Sequence, residues 1–225
     1  MRDRLRPNDL NSNIQQLTKG IDILKKSISK AAQDQVSSVK SGIYEYSIQK
    51  TIVLYSLGKG KEEVKESLIE TIDAFAEGFI FDDGYGDYDV MAWIISLCIL
   101  CDVDDDEFKK ITQILSRDRA NDKLLSMLIR HIDSSWTSSG ASVIQKHPYS
   151  KAAEAKDIYD LKSYLQKVWY QGHSDAWWYD IHKNKKVNRH FGYWAWEAAA
   201  LVKINDWDDT ILKGVNYYPY DATHW

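Results

Sequence analysis

The sequence predicts an all-α protein, on three observations. Apolar residues recur at helical spacing through the first half of the chain. Gly and Pro number only 11 and 3 among 225 residues, which favours long helices over a sheet protein with many tight turns. No strand-like alternation persists beyond a few residues, and no repeat of fixed period is present.

The elements follow in order. Ile14, Leu17, Ile21, Leu24 and Ile28 alternate steps of three and four and form one stripe. Tyr44, Ile48, Ile52 and Tyr55 form a second, ended at Gly58-Lys-Gly60. Val64, Leu68, Ile72, Phe75 and Phe79 form a third, with Lys61-Glu-Glu63 at its start. Shorter helices are expected over Tyr88 to Cys101, Asp105 to Leu115 and Asn121 to Ile132, with Asp104 and Asn121 as N-caps. Ser- and Thr-rich chemistry from Asp133 to Pro148 reads as a loop or exposed connection. Helix resumes over Asp157 to Trp169 and over Tyr193 to Ile204, and Asp208-Asp209 caps a short helix stopped by Gly214.

Seven of nine Trp lie at or after position 169, in Trp169-Tyr170, Trp177-Trp178-Tyr179, Trp194, Trp196, Trp207 and Trp225. Rings at this density must pack against each other and against helices, so an aromatic-rich core is expected in the C-terminal half.

Composition bounds the function. At 44% hydrophobic and 28% charged residues the chain is ordinary globular material. The charged start, Met1 to Pro7, has no apolar stretch behind it and reads as lacking a secretory signal. Val90 to Cys101 is too short to span a membrane. Cys98 and Cys101 are the only cysteines, so no disulfide framework forms and a cytoplasmic location is expected.

Charge is unevenly spread. Between Glu66 and Phe108 the chain has 13 acids and no Lys, Arg or His, leaving 20 acids against 29 Lys and Arg elsewhere. Such a field steers a basic partner inward and repels nucleic acid. The plain alternative is a solvated face with helix N-caps.

Other constellations carry little chemistry. Cys98-Ile-Leu-Cys101 lies inside an apolar run, without the further ligands of a zinc site, and reads as core. The loop Phe81 to Asp89 fails the spacing of a calcium-binding helix-loop-helix and reads as a turn built on Gly84 and Gly86. His173, His182 and His190 with Asp175 and Glu197 lack a ligand pair on one helical face. Glu197 sits on an apolar helix and should find a Tyr, Trp or His donor. Ala198 to Ala200 should let a neighbouring helix approach closely. The basic run His182 to Arg189 reads as a solvated loop. No cofactor and no metal are expected.

Several landmarks resemble one family. Gly192-Tyr193-Trp194 runs into Glu197-Ala-Ala-Ala200, followed by Asp208-Asp209 and Tyr218-Pro219-Tyr220-Asp221. Trp177 and His182 precede them at a matching Trp-x-x-x-x-His interval, and Tyr55-Ser-Leu-Gly58 ends a helix in the first half. These features resemble the PoNi-type immunity proteins, which protect bacteria from polymorphic DNase toxins of the PoNe type. The resemblance implies an N-terminal helical domain over 1–118 and a C-terminal aromatic-rich one over 119–225. Trp177, His182, Gly192, Tyr193, Trp194, Glu197, Tyr218, Pro219, Tyr220 and Asp221 would be structural landmarks in it. Asp133 to Ser150 matches nothing in the family pattern.

The resemblance implies a non-catalytic protein that binds a cognate DNase toxin domain in interbacterial competition. Neither nucleic acid nor membrane would be contacted directly, and the chain would act as a monomer or weak homodimer. Which face binds is a separate physical inference. A DNase cleft must be basic to hold phosphate, so an acidic face complements it. The expected contacts are Asp82, Asp83, Asp87, Asp89, Asp104, Asp105, Asp106 and Glu107, with Tyr85 and Tyr88 as aromatic anchors. The alternatives are a small helical hydrolase using Glu197 and nearby histidines, or an adaptor domain with an aromatic surface.

Overall fold

The computed structural model describes residues 2–3, 5–79, 85–117, 121–138, 140–184, 186 and 188–225, with backbone alone for Pro7, Tyr85, Gly86, Asp87 and Arg117. It is all-α, and the described residues form no strand. By internal contacts the chain divides into two compact units, Met1–Ile80 with Asp180–Gly192, and Phe81–Tyr179 with Tyr193–Trp225.

Unit 1 is built on α1 (Pro7–Ser27), α2 (Val36–Leu57) and α3 (Lys61–Gly78). The three stripes become the packing faces. Leu17 and Ile21 of α1, Tyr44, Ile48, Ile52 and Tyr55 of α2, and Val64, Leu68, Ile72 and Phe75 of α3 are buried. Because α2 packs against both α1 and α3, it buries polar side chains too. Thr51 meets Ser67 at 2.8 Å and Thr71 at 3.1 Å, so hydroxyls pair where the two helices face each other. Gly58 ends α2 in the left-handed region at φ 94°. Gly78 brings α3 against α2 so closely that a Cβ there would stand 2.8 Å from the Lys40 backbone.

The same unit takes in a segment from far along the chain. Asn13 Nδ2 donates to the His190 carbonyl at 2.6 Å, and Ser56 Oγ donates to the Phe191 carbonyl at 2.9 Å. His190 Nε2 and Asp3 Oδ2 lie 2.6 Å apart with both residues buried.

Unit 2 has two buried central helices, α4 (Tyr85–Leu100) and α10 (Trp196–Asn205), packed on each other. Every residue from Tyr88 to Cys101 is buried, and Ala198, Ala199 and Ala200 have no exposure at all. Small side chains there permit the close helix approach. Around them lie α5 (Asp105–Arg117), α6 (Lys123–Ile132), α7 (Tyr149–Ala153), α8 (Ile158–Tyr164), α9 (Tyr170–Gly172) and α11 (Tyr220–Thr223). A π-helical turn, Leu165–Trp169, joins α8 to α9. The indoles of Trp93, Trp169 and Trp178 pack in series, with centroids 6.0 and 5.7 Å apart. Trp177, by contrast, is 48% exposed.

Some boundaries differ from the sequence expectation. Asp122, not Asn121, caps α6, through an Oδ1 contact to Leu125 N at 2.9 Å. The Asn121 side chain instead accepts from Ser138. Helix α10 begins at Trp196, because the Ala195 amide bonds to the Tyr217 carbonyl and holds the preceding residues out of the helix. The Ser-rich stretch lacks helix but is not wholly exposed, since Trp136 and Val143 are buried.

Candidate functional site

Two groups of carboxylates in unit 2 have opposite characters. The first is interior. Asp89 stands in the second turn of α4 and is fully buried. Its Oδ1 accepts from the Tyr149 hydroxyl at 2.5 Å, and its Oδ2 accepts from Trp178 Nε1 at 2.7 Å. His173 Nε2 lies 3.8 Å from the same carboxylate, while its Nδ1 is 2.6 Å from the Trp169 carbonyl. Burial raises the Asp89 pKa to about 7 despite the two donors, and burial lowers that of His173 to about 3.

Glu197, also fully buried, accepts from the Tyr164 hydroxyl at 2.9 Å. A tyrosine donor is one of those the sequence pattern anticipates. Burial lifts the Glu197 pKa to about 7, with the Asp89 charge adding to the rise. Tyr88 donates to Asp122 at 3.0 Å and packs at a tilt beside Tyr149, with ring centroids 4.9 Å apart. These acids and phenols hold the core together, and no solvent reaches Asp89 or Glu197.

That placement corrects two expected contacts. Tyr88 is 2% exposed and Asp89 is 0% exposed, so neither can anchor a partner on the surface. The physical reason is that α4 starts at Tyr85, three residues before the expected start at Tyr88, so both residues lie past its first residues and against the core. Asp82 and Asp83 lie outside the described residues, as do the side chains of Tyr85 and Asp87.

The second group is exterior. Asp104, Asp105 and Asp106 are exposed, and Glu107 is half-buried, at the start of α5. Asp104 Oδ1 accepts from the Glu107 amide at 3.1 Å, the cap expected there. Asp106 pairs with Lys109 at 2.8 Å and Glu107 with Lys110 at 2.7 Å, each one turn along. Carboxylates at this end also complement the helix dipole. The remaining acids of the run are divided: Glu66, Glu70, Asp73 and Glu77 belong to α3 of unit 1, where Glu70 pairs with Lys50. In unit 2, Asp102 pairs with Lys203.

The other candidates are structural. Cys98 and Cys101 are free and buried. His182 and His190 belong to unit 1, whereas His173, Asp175 and Glu197 belong to unit 2. Among the described residues no group of three or more His, Cys, Asp and Glu side chains is arranged to hold a metal ion. No helix among them is long and apolar enough to cross a membrane. Of the aromatic landmarks, Tyr193, Tyr218 and Pro219 are buried, while Trp194, Tyr220 and His182 are half-buried and Asp221 is exposed. Gly192 adopts φ 112° immediately before them. Tyr218 donates to Asp209 at 2.7 Å.

The missed members of the interior network are Tyr149, Trp178 and Asp122. Tyr149 and Trp178 are ordinary apolar-patterned aromatics in sequence, and nothing local marks their partners. Asp122 carried the N-cap signature and stands next to the residue expected to fill that role.

The described residues define an all-helical protein with a sealed acid–tyrosine core and carboxylates at the start of α5. The family models identify it. One, described as PoNe immunity protein (PoNi), N-terminal, matches residues 8–113, and another, PoNe immunity proteins (PoNi), C-terminal, matches residues 120–222. The chain belongs to the PoNi immunity protein family. Its fold resembles the crystal structure of protein PA2201 from Pseudomonas aeruginosa, with a TM-score of 0.74, 17% identity, and coverage of 96% of this chain and 87% of that one. No curated protein matches the chain.

Proposed function

We propose that this chain binds the cognate PoNe toxin and neutralises its DNase activity, without catalysing a reaction, in the cytoplasm of the cell it protects. The observation that carries this reading is the pair of family matches, which together span residues 8–222 in the family's order. An N-terminal domain over residues 1–118 and a C-terminal domain over 119–225 belong to the same reading. Electrostatics supply the mode of action. A nuclease cleft is basic because it holds phosphate, and the exposed carboxylates Asp104, Asp105, Asp106 and Glu107 offer it a complementary surface. Asp82, Asp83, Tyr85 and Asp87 remain toxin contacts in the same proposal. Contact is with the toxin domain and not with nucleic acid or membrane, and the working form is a monomer or weak homodimer. Full burial of Glu197 argues against the hydrolase alternative, since no substrate reaches its carboxylate.

The test is co-expression with a cognate PoNe toxin. Cells carrying both should survive and keep intact DNA, and the two purified proteins should co-elute while plasmid cleavage stops. Continued cleavage with equimolar protein present would overturn the reading.

A further inference from the structure

Asp133 to Ser138, which the sequence expectation left outside the family pattern but which lies within the stretch matched by the C-terminal PoNi model, forms one wall of an open groove in unit 2. The groove has a volume of about 720 Å³. Its other wall comes from α5, through Thr112, Gln113, Leu115 and Ser116.

The loop wall is held firmly. Asp133 ends α6 and folds back on its own chain, its Oδ1 accepting from Ser135 N at 3.0 Å and Ser135 Oγ at 2.5 Å. Trp136 is 7% exposed, and its Nε1 donates to Ser126 Oγ of α6 at 3.2 Å. Arg130 Nη2 donates to the Ser138 carbonyl at 2.7 Å, and Ser138 Oγ donates to Asn121 at 2.9 Å. Backbone and side chains are therefore set before any partner arrives, which lowers the entropy cost of binding.

The lining has a definite polarity. Among the described residues Asp133 is the one ionisable side chain lining the groove, and the others are hydroxyls, amides, Leu115 and Trp136. Only Oδ1 of Asp133 serves the turn; among the described residues Oδ2 has no hydrogen-bond or ion partner. Lys109, the nearby cation whose ammonium feels the Asp133 charge, is held instead by Asp106 at 2.8 Å. A carboxylate with hydroxyl and amide acceptors around it suits a guanidinium or ammonium group. It repels phosphate, and a single carboxylate is a poor metal site. Interfaces favour an arginine reaching into such a recess.

We infer that this groove receives a basic side chain, arginine or lysine, from a projecting segment of the toxin, with Asp133 as its counter-charge. The inference rests on the immunity reading and locates the contact on unit 2, beside the α5 carboxylates. It gives the Asp133–Ser138 segment a specificity role: α5 attracts a basic surface, and the groove selects one with a side chain that fits.

Calorimetric titration of the full-length protein with the purified toxin nuclease domain tests it. Asp133→Asn removes the charge while its amide oxygen can still accept from Ser135, and Thr137→Trp fills the open groove. Each should weaken the dissociation constant by about tenfold or more at unchanged melting temperature. Glu62→Gln, on an exposed face of α3, should stay within about twofold of the parent. Lys109→Met keeps the groove intact and removes the competing cation, so it should bind tighter; this arm holds even if Asp133→Asn fails to fold. Parent-like affinity for both Asp133→Asn and Thr137→Trp would overturn the groove assignment, as would weaker binding by Lys109→Met. Absence of binding by the parent protein is a different result and would overturn the immunity reading itself.

Discussion

Tyr149 donates its hydroxyl to the Asp89 carboxylate at 2.5 Å, where neither residue has any exposure to solvent. The bond ties α7 to α4, and Trp178 closes the other oxygen of the same carboxylate. An acid from the most acidic stretch of the chain is thus a fastener of the core, unavailable to a partner. The surface chemistry of recognition falls to other residues.

Removing that fastener should be costly. Asp89→Ala leaves a buried phenol and a buried indole N–H without an acceptor, and should destabilise the protein by roughly 2–4 kcal/mol. Asp89→Asn keeps an acceptor and should cost less. Urea denaturation followed by tryptophan fluorescence distinguishes them, and equal stability of Asp89→Ala and the parent would refute the role.

Burial of Glu197 predicts a specific pH dependence. Its folded-state pKa, about 7, lies above the ordinary value of 4.5, so the folded protein holds this proton more tightly. The stabilisation is fully present below about pH 4.5 and is lost as pH rises through about 7. Asp89 acts in the same direction. His173 opposes both, because its depressed pKa makes the folded state lose stability as pH falls below about 6.5. A difference measurement isolates Glu197. Glu197→Gln cannot ionise, so its stability relative to the parent should climb between pH 4.5 and 8, by an amount on the order of 3 kcal/mol. Parallel stability curves for the two proteins would contradict this.

Unit 1 should depend on the distant segment that enters it. Asn13→Ala breaks a buried bond to the His190 carbonyl and should cost about 1–2 kcal/mol. The same change should speed proteolytic cleavage between Lys183 and Arg189. Cleavage at the parental rate would show that this bond does not retain the segment.

Close helix contact makes Gly78 intolerant. A Cβ there would meet the Lys40 backbone at 2.8 Å, so Gly78→Ala must push α3 off α2. Thermal denaturation should show a loss of about 1–3 kcal/mol, whereas a stabilised variant would mean the helices yield freely.

Much of this architecture is legible in the sequence, for reasons visible in particular residues. Helices α1 to α3 are amphipathic, so their 3.6-residue period names both the element and its buried side. Helix α4 is apolar all round, which shows its burial but conceals where it begins. That is why Tyr88 and Asp89 read as the exposed edge where an acidic loop meets the helix: acids, tyrosines and glycines imitate a loop, and the earlier helix start at Tyr85 carries these two a turn inward. The pairs Asp89–Tyr149 and Asp3–His190 join positions 60 and 187 residues apart, a range at which spacing carries no information. Glu197 was different, because an acid between Trp196 and Ala198 demands a donor from the aromatic residues around it.

The central claim is that exposed carboxylates on unit 2 draw in a basic toxin, and stopped-flow association across a salt series tests it most directly. For the parent protein the association rate constant should fall about tenfold or more between roughly 50 and 500 mM salt. A variant combining Asp104→Asn, Asp105→Asn, Asp106→Asn and Glu107→Gln keeps the α5 cap and should associate slowly, with little salt dependence. A parental rate indifferent to salt, or a neutralised variant that associates as fast as the parent, would contradict the account.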